Sequence, residues 1–222
     1  MSILLYAEVT REKYIHTVFF ELAAKASQLS SKTNNQEIYA VIFAEKNLVN
    51  KLKDGFCNNN IDKVFVFEHD FFKNYSTETY TNLIVELIKE INPSIFLIGA
   101  TNQGRDLAPR ISANLHAGLT ADCTELDINS DNMLAATRPT FGGKLMATIL
   151  SKTTPQMATV RPNVFKPSDE IKYKNTEFVY REIKETDLIN NIVIENFVKN
   201  FQKLSQKRLF LMEKYIETSP IR

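Results

Sequence analysis

The chain has 222 residues, 44% hydrophobic and 24% charged, and its 27 basic and 26 acidic side chains leave a net charge of +1. Such a chain can build a large globular core, and it lacks the concentrated basic excess that binding to a phosphate backbone requires. Its longest uninterrupted apolar run, Ile38 to Ala44, has seven residues against the ~20 of a membrane-spanning helix, so neither nucleic acid nor membrane insertion is expected.

Ser2 to Ala7 reads as a first strand. Its apolar run ends at Glu8 and no basic stretch precedes it, which argues against a signal peptide and for a cytoplasmic location. Ile15, Val18, Phe19, Leu22, Ala26 and Leu29 recur at helical spacing and predict an amphipathic helix over 12–31. Ile38 to Ala44 is a second strand, apolar enough to be buried on both faces. A short helix over 46–53 ends near Gly55, and Val64 to Phe67 is a third strand. Leu83, Ile84, Leu87, Ile88 and Ile91 mark a helix closed by Asn92-Pro93. Ser94 to Gly99 is a fourth strand, followed by a polar turn and a helix beginning near Asp106 with Pro109 in its first turn. Strands alternating with helices predict an α/β fold, an open parallel sheet with crossover helices.

From Gly118 the rhythm changes. Segments 119–127, 133–139, 145–151 and 156–161 read as short strands separated by polar turns, which predicts an antiparallel extension of hairpins. Pro162 and Pro167 open an irregular stretch, Glu177 to Ile183 is a possible further strand, and from Asp187 the positions Leu188, Ile192, Val193, Phe197, Val198, Phe201 and Leu204 predict a C-terminal helix reaching toward Tyr215. The expected division is an α/β domain over 1–165 and a linker, strand and helical tail over 166–222.

Five of the six glycines lie between Gly99 and Gly143, and none follows. Close backbone approach therefore belongs to the middle of the chain. In Thr101 to Arg110, the residues Gly104, Arg105 and Arg110 suit a phosphate or a partner carboxylate at a helix N-terminus; capping with surface salt bridges is the competing reading. The spacing there is neither a Walker A loop nor G-x-G-x-x-G. In Ala136 to Ala147, Arg138 offers a planar five-donor fork beside the turn residues Gly142 and Gly143, against the plainer reading of a hairpin turn with one exposed arginine. Arg161, before Pro162, reads as a structural arginine ending a strand. His16, His69 and His116 are far apart and lack zinc-ligand spacing. Cys57 and Cys123, without a C-x-x-C, offer neither a disulfide framework nor a zinc knuckle. Chain order alone leaves a nucleophile triad open, but no nucleophile-elbow motif supports one.

Four ordered blocks carry a resemblance: Thr101-Asn-Gln-Gly-Arg-Asp-Leu-Ala-Pro-Arg110; Gly118-Leu-Thr-Ala-Asp-Cys-Thr-Glu-Leu126; Ala136-Thr-Arg-Pro-Thr-Phe-Gly-Gly143 with Met146-Ala-Thr-Ile149; and Pro155-Gln-Met-Ala-Thr-Val-Arg-Pro162. Together they resemble the N-terminal domain of the electron transfer flavoprotein alpha subunit over roughly residues 1–165. Asn163 departs from the glycine common in that family, and Asn tolerates similar backbone angles.

The resemblance implies a Rossmann-like fold of the adenine-nucleotide alpha-hydrolase kind and a heterodimer with an electron transfer flavoprotein beta subunit. In that family the pair carries electrons from acyl-CoA or other dehydrogenases to an acceptor such as a quinone reductase. It implies a scaffold and not an enzyme, with FAD in the complete heterodimer held mainly by a separate C-terminal domain. The absence of glycine after Gly143 sets the expectation that this domain is missing and that no cofactor binds this chain alone; the apolar stripe of the C-terminal helix is then expected to pack on this domain's own surface or on a second copy. Arg138, Gly142 and Gly143 are then candidates for lying near the partner's flavin or nucleotide, and Gly104, Arg105 and Arg110 for fold and interface. An alternative is a free-standing adenine-nucleotide module resembling universal stress proteins, whose G-x-x-G and following Gly-Ser/Thr are not found.

Overall fold

The computed structural model describes residues 2–168, 170–171 and 173–189. In chain order the elements are β1 (Ser2–Ala7), α1 (Val18–Lys32), β2 (Glu37–Ala44), α2 (Val49–Cys57), β3 (Lys63–Glu68), α3 (Thr77–Ile91), β4 (Ile95–Gly99), α4 (Asn102–Leu115), β5 (Leu119–Cys123), β6 (Glu125–Ile128), β7 (Leu134–Thr140), β8 (Leu145–Leu150), β9 (Gln156–Val160) and β10 (Glu177–Tyr180). Among the described residues, seven strands form one sheet in the order β10-β3-β2-β1-β4-β9-β5, with every neighbouring pair parallel. The strands β6, β7 and β8 form a second, antiparallel sheet.

A parallel sheet is covered on both faces, which is why β1 to β4 are runs of apolar residues without polar alternation. Successive side chains still divide between faces. Ile3, Leu5 and Ala7 of β1 join Phe19, Leu22, Ala26 and Leu29 of α1 and Val49 and Phe56 of α2. Leu4 and Tyr6 join Leu83, Ile84, Leu87 and Ile88 of α3 and Leu107 and Ile111 of α4.

Several boundaries differ from the sequence expectation for identifiable reasons. The first helix starts at Val18, because residues 9–15 fold into a small loop closed by a Val9–Ile15 bridge. Gly55 lies inside α2 and does not end it: a Cβ there would sit 3.0 Å from Ile15 Cδ1, so the glycine serves helix packing. The fourth helix begins at Asn102, a turn before the expected Asp106. Thr101 caps it, its side-chain oxygen accepting the Gly104 N–H at 2.9 Å, the interaction typical of a threonine N-cap. Pro109 therefore sits in the helix interior, where the missing N–H costs about 3 kcal/mol. Leu107 and Ile111, both fully buried, each stabilise by roughly 1.5–3 kcal/mol and together offset it.

The larger correction concerns the antiparallel extension. Among the described residues, hairpins connect only β6, β7 and β8. The expected strand over 119–127 is divided, its first half being β5 at the edge of the main sheet, paired in parallel with β9 across a bulge at Thr120–Cys123. The strand β9 does not pair with β8; it inserts between β4 and β5. Met157 to Val160 are all buried, and burial on both faces is available only inside a covered sheet.

Residues 177–180 form the opposite edge, with Glu177 opposite Lys63 and Tyr180 opposite Val66. The segment after residue 165 thus contributes a strand to the main sheet, shorter than the expected Glu177 to Ile183. Leu188 packs against the α3/α4 side of the core, and the Ile189 N–H donates to Thr79 Oγ1 at 3.0 Å. The expected C-terminal helix beyond Ile189 lies outside the described residues.

Asp106 ties the start of α3 to α4, accepting hydrogen bonds from Tyr75 and Thr77 and pairing with Arg110. Partial burial would raise its carboxyl, but the hydrogen bonds from Thr77 and Tyr75 and the Arg110 charge outweigh burial and hold it below the usual carboxylate range. A depressed folded-state pKa stabilises the protein above the unfolded value of ~3.9 and loses that contribution as pH falls through the folded value. Asp106→Asn should accordingly lower the thermal midpoint at neutral pH, with the difference from wild type closing as the pH drops below about 4. A difference that stays constant down to the acid limit would show that Asp106 carries no such linkage.

Candidate functional site

The carboxyl ends of β1 and β4 form the crevice in which open α/β sheets usually bind nucleotides. Here the chain's own side chains occupy it. The Gly104 N–H donates to Thr101 Oγ1, whose hydroxyl donates to Glu8 Oε2 at 2.5 Å, and Gln103 Nε2 donates to the buried Tyr6 hydroxyl. Burial raises the Glu8 carboxyl above its ordinary value, against the opposing pull of the Thr101 hydrogen bond and the His16 charge. Gly104 has a packing role: a Cβ would lie 1.9 Å from the Gly99 carbonyl oxygen. Arg105 Nη2 reaches Asp122 Oδ1 at 2.9 Å, and Arg110 Nε lies 3.6 Å from Asp106. These pairings and the filled crevice do not favour the adenine-nucleotide module.

Arg138, Gly142 and Gly143 come together elsewhere, at the tip of β7 and β8. Arg138 stands on β7 opposite Ala147. The turn Phe141–Gly143 that follows is left-handed throughout, with φ of 48°, 68° and 87°. A Cβ at Gly142 or Gly143 would meet nothing within 4 Å, so the glycines supply backbone angles and not clearance. The three candidates line a pocket of about 560 Å³ together with Pro139, Thr140, Phe141 and Arg161.

Arg161, which in sequence reads as a structural arginine ending a strand, joins them. Its backbone N–H donates to the Cys123 carbonyl at 3.2 Å, yet the residue lines the pocket. The available signal was its position inside the fourth block of the resemblance. Among the described residues no acidic side chain lines the pocket and neither arginine has an acidic partner. Arg138 Nε is buried without a hydrogen-bond partner, as is Thr124 Oγ1. Beneath them, burial pushes the Cys123 thiol up to about 12, with the Arg138 charge pulling the other way; a thiol so raised is no nucleophile near neutrality.

Beside the pocket, β8 is an edge strand of its sheet, unpaired on its outer side among the described residues. Leu145, Met146, Ile149 and Leu150 are exposed, and Phe141 at the turn is 79% exposed. An apolar free edge flanked by uncompensated positive charge is a surface suited to covering by another molecule. No helix among the described residues is long and apolar enough to cross a membrane, and no three metal-ligating side chains converge among them.

Comparison with known proteins agrees with this geometry. The family model of the electron transfer flavoprotein domain matches residues 3–186. The chain is similar to the electron transfer flavoprotein alpha subunit of Clostridium acetobutylicum, at 43% identity over 70% of this chain and 46% of the relative. It is also similar to that of Thermoanaerobacterium thermosaccharolyticum, at 39% identity over 92% of this chain and 62% of the relative. A third relative is the LctC subunit of the NAD(+)- and ferredoxin-dependent lactate dehydrogenase of Acetobacterium woodii, at 36% identity over 85% and 44%. The matches thus span about half the length of these relatives. With a parallel α/β sheet, an antiparallel three-stranded extension and a matched region that takes in nearly every described residue, the chain belongs to the electron transfer flavoprotein domain family.

Proposed function

We propose that this chain acts as the N-terminal, partner-binding part of an electron transfer flavoprotein alpha subunit. In this reading it docks its β6–β8 sheet on a beta subunit, so that Arg138, Gly142, Gly143 and Arg161 flank a flavin held by that partner. The observation that carries the proposal is the pocket with two arginines and no acid, set against an exposed apolar edge strand.

The residues present fit a flavin's edge and not a whole dinucleotide. Arg138 Nε is an orphaned buried donor, and a guanidinium presents several donors to carbonyl or phosphate acceptors. A pyrophosphate cradle, by contrast, needs a glycine-rich turn that opens a helix, and the Phe141–Gly143 turn opens the strand β8. When bound, the flavin supplies the electron-carrying chemistry between a dehydrogenase and an acceptor. The chain's own residues bind, exclude water and hold positive charge beside it; none of them is placed for bond-making chemistry, so the chain is read as a carrier subunit and not an enzyme.

The reading is tested by co-expression with an electron transfer flavoprotein beta subunit. The pair should purify as a one-to-one complex with flavin absorption, while the chain alone should be colourless. Met146→Lys on β8 should abolish the complex and leave the chain's own thermal midpoint unchanged, because an exposed substitution usually shifts stability by no more than about 0.5 kcal/mol. Stoichiometric flavin on the isolated chain, or a complex indifferent to Met146→Lys, would contradict the proposal.

A further inference from the structure

Glu21 lies in the first turn of α1 and is only 3% exposed. Its carboxylate accepts three successive backbone N–H groups from the loop after β9: Asn163 at 2.9 Å, Val164 at 3.1 Å and Phe165 at 3.1 Å. Asn163 adopts φ of 65°, the alternation of backbone angles that turns consecutive N–H groups toward one point and makes an anion-binding nest. One helical turn along, Lys25 Nζ lies 5.2 Å from the centroid of the Phe165 ring and holds the same loop from outside.

A carboxylate is costly to bury unless it is well hydrogen-bonded, and packing alone would be served by an apolar residue. What the contact secures is the segment immediately after Arg161. That arginine is fixed on its other side by the N–H bond to Cys123 and by the pairing of β9 with β5, and Pro162 restricts it to an extended backbone. Arg138 and Arg161 line the same pocket, and anchoring the backbone on both sides of Arg161 fixes where that second arginine stands relative to the first.

We propose that Glu21 is a positioning residue: its carboxylate occupies a backbone anion nest at residues 163–165 and thereby holds Arg161 at the pocket. The role for Arg161 rests on the proposed function above, whereas the nest stands independently of it. A further consequence is that a small external carboxylate can take the place of the missing side chain.

The test uses the full chain alone and in complex with a beta subunit. Glu21→Ala should weaken the complex roughly tenfold, the scale of losing hydrogen bonds to a charged group. Formate should restore most of the association and of the chain's thermal midpoint, where chloride at equal ionic strength does not. The double variant Glu21→Ala/Arg161→Gln should bind no more weakly than Arg161→Gln, since both act through one side chain. If Glu21→Ala does not fold, Glu21→Gln keeps the volume and one acceptor oxygen; it should show a smaller weakening of the complex that is likewise absent in the Arg161→Gln background.

Additive effects in the double variant, or no formate response specific to Glu21→Ala, would overturn the positioning role. So would unchanged association in Glu21→Ala while Arg161→Gln weakens it, and in that case the pocket's role as a partner contact survives. If Arg161→Gln itself leaves association unchanged, the pocket reading fails and the positioning role fails with it. A formate-responsive thermal midpoint would then mark Glu21 as a structural anchor only.

Discussion

Gly104→Ala is expected to destabilise the protein by about 3 kcal/mol or to prevent its accumulation in folded form, because overpacking against an immovable neighbour lies at the upper end of core-substitution costs. The added methyl would stand 1.9 Å from the Gly99 carbonyl oxygen and 3.1 Å from Ile98 Cγ2. The first of these is backbone inside the parallel sheet and has no rotamer to yield. The start of α4 would have to lift from the end of β4, breaking the chain of hydrogen bonds from Gly104 through Thr101 to Glu8. Gly142→Ala is the control: its Cβ meets nothing within 4 Å, and only the positive φ opposes it, a penalty of about 1 kcal/mol. Thermal denaturation of both variants checks the contrast. A Gly104→Ala protein as stable as the Gly142→Ala protein would mean that helix and strand can separate without loss.

Arg138→Ala should give the reverse pattern, with stability retained and partner binding lost. The side chain forms no ion pair among the described residues, and its Nε is buried without a partner; truncation therefore forfeits little in the isolated chain and removes an unsatisfied donor. In the complex, the loss of a charged hydrogen bond at a desolvated contact costs ~2–5 kcal/mol, which is roughly 30-fold or more in affinity. Thermal midpoint and affinity for the beta subunit, measured on one preparation, decide it. A large fall in stability with unchanged association would make Arg138 a structural residue.

Which parts of this architecture can be read in sequence follows from how far apart the interacting residues lie. The strands β1 to β4 were legible because burial on both faces leaves a run of apolar residues that needs no partner to be recognised. The grouping of Arg138, Gly142 and Gly143 was legible because a single hairpin keeps neighbours in sequence together in space. The start of α4 was missed because Thr101, an N-cap, looks like any other polar turn residue until the Gly104 N–H is seen to donate to it.

Arg161 marks the limit. Apart from its place in the fourth block of the resemblance, nothing local distinguishes it from a strand-ending arginine, and it reaches the pocket of Arg138 because β9 inserts between β4 and β5 instead of continuing the hairpins. Glu21 is a stronger case: on α1 it is one acidic residue in an amphipathic helix, and its contact with residues 163–165 spans most of the chain.

The amino-acid order by itself determined the α/β class, the parallel half of the sheet, the family resemblance and the hairpin carrying Arg138, since all of these rest on local periodicity or contiguous motifs. Strand order, the filled crevice at Glu8 and Tyr6, the unpaired apolar edge of β8 and the joining of Arg138 with Arg161 were decided only in three dimensions. Each depends on which distant segments exclude water from one another, and hydrophobic burial, being non-directional, encodes that a strand is covered without encoding by what.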